Sequence, residues 1–395
     1  MLEGLVPIVL GDVGELGDAL EAECWASELV SMWSGLELVD ADAGDVFLPA
    51  FVRALQRKAS PKALAALRAL SAVGSESHGD CARAAADRLV SRGVPEPSWS
   101  GQLGGLEPVV AELMFEEAFD DGLSVFIEFV SPAAERHTLG IYIDHNLGGL
   151  VKDAFLAGPL SGVRRELSLR DPDAAGTGLR ELDLPEARAR VEAALYMLDH
   201  TLDPPVDKDV RALRALVDAR LRLLPDGFEL PDDCEEVSAG DREQLLADFL
   251  ASLEGERWRG LEDAEDVVTM AIDFGAGYNH GGPLRWSPVV VEIFMTSWLA
   301  RKVAREPVFF TRVPEVLPDW VRYAGRVRGV PAEPLSEAVD AVQEFRSEML
   351  EAVNDPETWG PAKTFAVAAQ AAGIDPADPD ALNAFIEQYN KGLAA

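Results

Sequence analysis

The chain carries 69 acidic side chains against 35 basic ones, a formal net charge of −34, yet 48% of its residues are apolar. Unpaired charge is too costly to bury, so the excess carboxylates must lie on the outer faces of folded elements whose inner faces are apolar. Mean hydropathy is +0.02, and so much apolar side chain sets the sequence apart from acidic disordered segments. A surface of this sign repels phosphate backbones and anionic lipid, which argues against nucleic acid or a membrane as the direct partner.

At 395 residues the chain suggests two or three domains, at about 150 residues each. Cys24, Cys81 and Cys234 are odd in number, far apart and in no CxxC pair, so we expect reduced thiols and no disulfide framework or thiolate zinc site. The apolar run Leu5–Leu10 lacks the basic flank and cleavage site of a signal peptide. The later run Val289–Ala300 is interrupted by Glu292 and is shorter than the roughly 20 residues a bilayer span needs. A cytoplasmic location is the expectation. Seven lysines beside 28 arginines, with abundant alanine, suggest a GC-rich genome.

Helical periodicity dominates. Ala22, Trp25, Leu29, Met32 and Trp33 form one apolar face. Ser60-Pro61 opens a second helix, and a third runs from Asp80 to about Ser91. Leu123, Val125, Ile127 and Phe129 then alternate with Ser124, Phe126 and Glu128, and a matching alternation runs from Leu139 to Asp144, which predicts a β-hairpin over about 123–144. A helix is predicted next over Leu150–Leu156. Asp183 and Glu186 have capping-box spacing before another helix, and a further helix runs from Lys208 to about Leu224. Beyond the acidic, Gly- and Pro-bearing stretch Asp226–Asp241, starts at Gly240-Asp241, Leu261, Ser287-Pro288, Pro314, Asp355-Pro356 and Asp378-Pro379 predict successive helices.

The predicted fold is therefore mainly α within the α+β class. Residues 1–100 form a helical N-terminal region, 101–225 an α+β middle domain with the hairpin, 226–240 an acidic linker and 241–395 a helical C-terminal module. Within that module, Pro283-Leu-Arg-Trp-Ser-Pro288 leads to Val291-Glu-Ile-Phe294 and Trp298-Leu-Ala-Arg-Lys302. Leu317-Pro-Asp-Trp-Val-Arg-Tyr323 follows, then Asp355-Pro, Gly360-Pro-Ala-Lys363, Gly373-Ile-Asp375 and Phe385-Ile-Glu-Gln-Tyr-Asn390. Over roughly its last 110 residues the chain resembles a C-terminal helical module of uncharacterised actinobacterial proteins. The resemblance implies source, compartment and helical fold, and carries over no functional residues.

The sharpest candidate site is the end of the second predicted strand: Asp144, His145 and Asn146, with Gly148-Gly149, Lys152 and Asp153 following. An aspartate, a histidine and an asparagine at a rigid junction can bind a metal or move a proton. The plainer reading is a capped turn in which Asp144 or Asn146 caps and the glycines reverse the chain. His137 cannot share a metal with His145 along one strand, since eight residues separate them by about 26 Å.

A second candidate is the glycine-rich Gly275–Pro283 with His280, followed by Arg285. Its spacing matches neither GxGxxG nor GxxxxGK[ST], so a connector or helix cap is expected, with His280 and Arg285 kept as candidate binding residues. The segment Asp40-Ala-Asp42-Ala-Gly44-Asp45 fails as a calcium loop, because Gly44 and Phe51 stand where ligands are needed. Arg211, Arg214, Arg220 and Arg222 read as a solvated helix face balanced by Asp209 and Asp218.

The sequence holds no HExxH, GxSxG, CxxC or Walker pattern and only five histidines. No cofactor and no metal site is expected. The leading expectation is a non-enzymatic interaction or regulatory protein whose partner is a neutral or basic protein surface or a second copy. An acid/base or metal-assisted hydrolase centred on Asp144 and His145 is the alternative, and an acidic mimic of nucleic acid ranks third.

Overall fold

The computed structural model describes residues 2–37, 43–116, 118–170, 177–202, 204–231 and 237–374, together with 381, 383–386 and 389. Asp40–Asp42 of the rejected calcium segment, residues 171–176, Cys234 and the predicted helix start at Asp378-Pro379 lie outside the described residues. The chain is mainly helical with one antiparallel sheet, in agreement with the α+β expectation. It divides into two compact units, one of residues 1–116 and 122–231, the other of 117–121 and 232–395. The regions 1–100 and 101–225, expected as separate, thus share one unit, and the division falls inside the acidic stretch 226–240.

The first unit opens with helices α1 (Leu2–Asp12), α2 (Ala19–Glu37), α3 (Ala43–Lys58), α4 (Pro61–Val73) and α5 (Glu76–Val90). Ser60 caps α4, its side chain accepting from the Ala63 N–H, and proline stands in the first turn. Alanines dominate the buried face of α4 (Ala63, Ala65, Ala66, Ala69), so neighbouring backbones can approach closely.

Five strands follow: β1 (Glu107–Glu116), β2 (Gly122–Val130), β3 (Arg136–Asp144), β4 (Leu150–Ala157) and β5 (Thr177–Leu182). The order is β4-β3-β2-β1-β5, antiparallel throughout. The predicted hairpin is β2–β3, in which Leu123 pairs with Ile143 and Phe129 with His137. One face of the sheet packs against α7 (Leu184–Asp199) and α8 (Lys208–Leu221), burying Val125, Ile127, Leu139, Ile141, Val191 and Val217 in one core. Against the other, α6 (Leu160–Arg170) is tied by Arg164 to the buried Glu112 and by the Leu160 N–H to Glu128.

Two predicted features are corrected. Residues 150–156 form strand β4 instead of a helix. Ile143 pairs with Val151 but Tyr142 with Asp153, so Lys152 is an extra residue, a β-bulge. The bulge leaves Leu150, Val151 and Ala154 buried, a spacing that reads as helical in the sequence. The box at Asp183 does not form either: Asp183 makes no side-chain capping bond, and Glu186 pairs with Arg180 and Arg190.

The second unit is helical: α9 (Ala239–Ala251), α10 (Glu262–Tyr278), α11 (Pro288–Glu292), α12 (Leu299–Lys302), α13 (Val313–Arg328), α14 (Ala332–Glu344), α15 (Arg346–Asn354) and α16 (Pro361–Ala371), with a wide π-type turn at Ile293–Trp298 joining α11 and α12. Ser238 and Asp241 form a reciprocal capping box at α9. Asp355-Pro356 opens only a single turn, Pro356–Thr358. The core is aromatic, with Phe249 edge-on to both Trp320 and Tyr323, and Phe274 and Phe294 among Trp286 and Trp298. No helix among the described residues is long and apolar enough to cross a membrane.

The chain leaves α9 through Gly255, where an added Cβ would meet the carbonyl group of Phe249. Backbone cannot yield as a side-chain tip does. Gly255→Ala is therefore expected to destabilise the protein by about 1–3 kcal/mol, measured by urea denaturation against the wild type.

Candidate functional site

The residues singled out in the sequence form a closed turn. Asp144 is 3% exposed. Its Oδ1 accepts the Asn146 N–H at 2.8 Å and its Oδ2 accepts from Lys152 Nζ at 2.6 Å. His145, also buried, and Asn146 form a 3₁₀ turn, and Gly148 and Gly149 adopt φ of 81° and 79°, which only glycine takes up without strain. The Gly149 N–H returns to the Asp144 carbonyl at 2.9 Å. Lys152 reaches Asp144 because it is the bulged residue, and Asp153 lies one position further along β4, half-buried. Both carboxylate oxygens are thus engaged in holding the turn, which gives Asp144 no free oxygen with which to act as a base on a substrate. No group of three or more His, Cys, Asp or Glu residues is placed to hold a metal among the described residues.

In the second unit, the fully buried Arg285 organises the glycine-rich connector after α10. Its guanidinium donates to the His280 carbonyl, to Asn279 Oδ1 and to Asp121 Oδ1. Asp121 Oδ1 also accepts from Ser287, whose hydroxyl in turn caps α11 at Val290. Burial pushes the Arg285 pKa down. His280 is half-buried and contributes its backbone carbonyl to this arrangement. Lys363 is likewise enclosed, over the rings of Phe310 and Trp359 with its Nζ 3.3 Å from the Val353 carbonyl. Burial lowers its pKa to about 8, but at 3% exposure it is closed to a substrate.

The arginine cluster on α8 divides. Arg214 pairs with Asp199 and Asp218, at i,i+4 spacing for the latter. Arg220, expected on a solvated face, is instead 2% exposed. Its Nη2 donates to Glu23 Oε2 of α2 at 2.5 Å, its Nε donates to His137 Nε2 of β3 at 3.3 Å, and it lies over the Phe129 ring of β2. His137 stacks on the same phenylalanine. Accepting from arginine fixes the histidine tautomer with its proton on Nδ1. Burial, and secondarily the Arg220 charge, lower the His137 pKa to about 4. A cavity of about 160 Å³ lies beside the cluster, lined in part by Asp18, Glu23, Gln102, Glu135 and His137.

The same pairing holds the walls of a larger groove. The Ser27 hydroxyl of α2 donates to the Ala212 carbonyl and accepts the Leu216 N–H of α8, locking the two helices together. Between α2, α8 and β4 runs a groove of about 570 Å³, within the size range of ligand clefts. Its floor is apolar: Cys24 and Trp25 from α2, Phe155 and Leu156 from β4, Ala212 and Leu213 from α8. Its charged lining is Glu21, Glu28 and Asp209, all exposed, and among the described residues no basic side chain lines it. Glu28 and Asp209 enter no ion pair among the described residues. The Cys24 thiol is pushed up to about 11 by burial and then by the Glu23 charge, so it stays protonated and unreactive at neutral pH. Sequence reasoning missed this groove. Its one local sign was Trp25 between Glu21 and Glu28 on an otherwise core-facing helix.

Comparison of the chain with protein-family models, curated proteins and solved structures finds no match.

Glu23→Gln leaves Arg220 buried without its counter-charge and is expected to cost about 3–5 kcal/mol in denaturant unfolding. The His137 effect has a defined sign. The unfolded chain takes up this proton near pH 6.5 and the native state only near 4. Native stability should therefore fall as pH drops through that window, by about 3 kcal/mol from this group. His137→Gln should flatten the slope between pH 6.5 and 4 relative to the wild type, measured by urea midpoints at each pH.

Proposed function

We propose that the chain is a cytoplasmic, non-enzymatic interaction protein that captures a basic, apolar-bearing segment of another protein in the groove between α2, α8 and β4. The observation that supports this reading is the pairing of aromatic and aliphatic lining with charged lining that, among the described residues, is all acidic. An apolar floor takes up side chains of the partner, while Glu21, Glu28 and Asp209 select cationic over anionic ones. The net charge of −34 extends that selection over a longer range and speeds encounter with a basic partner. Behind α2, Glu23 and Arg220 neutralise one another and the neutral His137 accepts from Arg220.

The test uses two synthetic peptides of equal hydropathy, one pairing leucine with lysine and the other leucine with glutamate. Titration calorimetry should detect the lysine peptide alone, with affinity falling as salt rises from 50 to 300 mM. Glu28→Lys with Asp209→Lys, both exposed positions, should weaken it at least tenfold. Equal binding of the two peptides, or a charge-reversed protein that binds as before, would overturn the reading.

A further inference from the structure

We infer that the segment taken up by this groove is extended and adds to the sheet as a new strand on the outer edge of β4. The inference rests on the reading of the groove as the binding surface and names the form of its occupant. Successive side chains of a strand point to opposite faces, so a groove touching Ala154, Phe155 and Leu156 in succession lies along the edge of β4 and not over a face. That edge is open. Strand β4 ends the sheet, with β3 on its other side. Among the described residues, nothing hydrogen-bonds to the backbone of Asp153–Ala157 from the side away from β3.

The open stretch has a defined start. The Asp207 N–H donates to the Lys152 carbonyl at 3.2 Å, closing the edge at the bulge. Beyond it, five residues from Asp153 to Ala157 remain, about 16 Å of strand. The two edges of the sheet also differ. β5 carries Arg180 and Glu181, charges of the kind that discourage pairing with another chain. The open stretch of β4 carries a charge only at its first residue, Asp153, and Ala154-Phe155-Leu156-Ala157 carries none. An added strand alternates its side chains, so one set faces the apolar wall of Trp25, Ala212 and Leu213 and the other turns outward. A segment alternating apolar and basic residues over about five positions satisfies the backbone edge, the floor and the acidic rim together.

A phage-displayed library of random twelve-residue peptides, selected on the full chain, tests this. Each enriched peptide is then counter-screened on the Glu28→Lys, Asp209→Lys protein. Strand addition is expected to enrich basic and apolar residues at period two, in peptides that bind the charge-reversed protein at least tenfold more weakly. N-methylation of alternate backbone amides in such a peptide should cost at least tenfold in affinity in one register and little in the other. Enrichment at three- and four-residue spacing, or tolerance of N-methylation in both registers, would overturn strand addition while leaving the groove as the binding surface. Peptides that bind wild-type and charge-reversed protein equally, or no enrichment over bare support, would overturn the groove reading as well.

Discussion

One guanidinium fixes the arrangement of the first unit. Arg220 leaves α8 and meets a carboxylate from α2, an imidazole from β3 and an aromatic face from β2, all out of water. A buried charge tolerates few placements, because each displacement that lengthens the Glu23 contact exposes the full desolvation cost of both ions. Apolar contacts between α2, α8 and the sheet would allow neighbouring registers at little cost. The ion pair removes those alternatives, and the Ser27 bonds to Ala212 and Leu216 fix the same two helices one turn further along. Its value thus lies in register more than in net stability.

Register here decides the shape of the surface. With α2 and α8 locked together, Glu21, Glu28 and the half-buried Trp25 of α2 line the groove beside β4. The charge of the protein is divided in the same way. Many of its arginines are committed to carboxylates, as in Arg68–Glu96, Arg164–Glu112 and Arg326–Glu254, and the acidic surplus is left at the exterior. The groove rim belongs to that surplus.

The hairpin and the starts of α9, α10, α11 and α13 were legible because their signals are local: strict alternation in Leu123–Phe129, and serine before proline at Pro61 and Pro288. What sequence missed depends on distant partners. The bulge at Lys152 shifts the burial of β4 by one position and mimics a helix. Arg214 and Arg220 stand on one helix with the same chemistry, yet Arg220 turns inward because Glu23, 197 residues earlier, waits there. At Asp144 the capped turn was legible, but the brace that Lys152 adds to it was not. Lys152 reaches back eight residues and converts a catalytic-looking triplet into a braced turn. The groove was hidden for the same reason, since its three walls come from segments near residues 20, 155 and 210.

Edge strands are normally blunted because an open, uncharged one recruits other chains indiscriminately. β4 is closed at one end by its bulge and by the Asp207 N–H, and residues of α2 and α8 line the groove beside its remaining edge. In the binding proposed above, the acidic lining would discriminate among single chains by charge, the form of negative selection available to a strongly anionic protein. A net charge of −34 also sets copies of this chain to repel one another, which counters the aggregation an exposed edge would promote on a neutral protein.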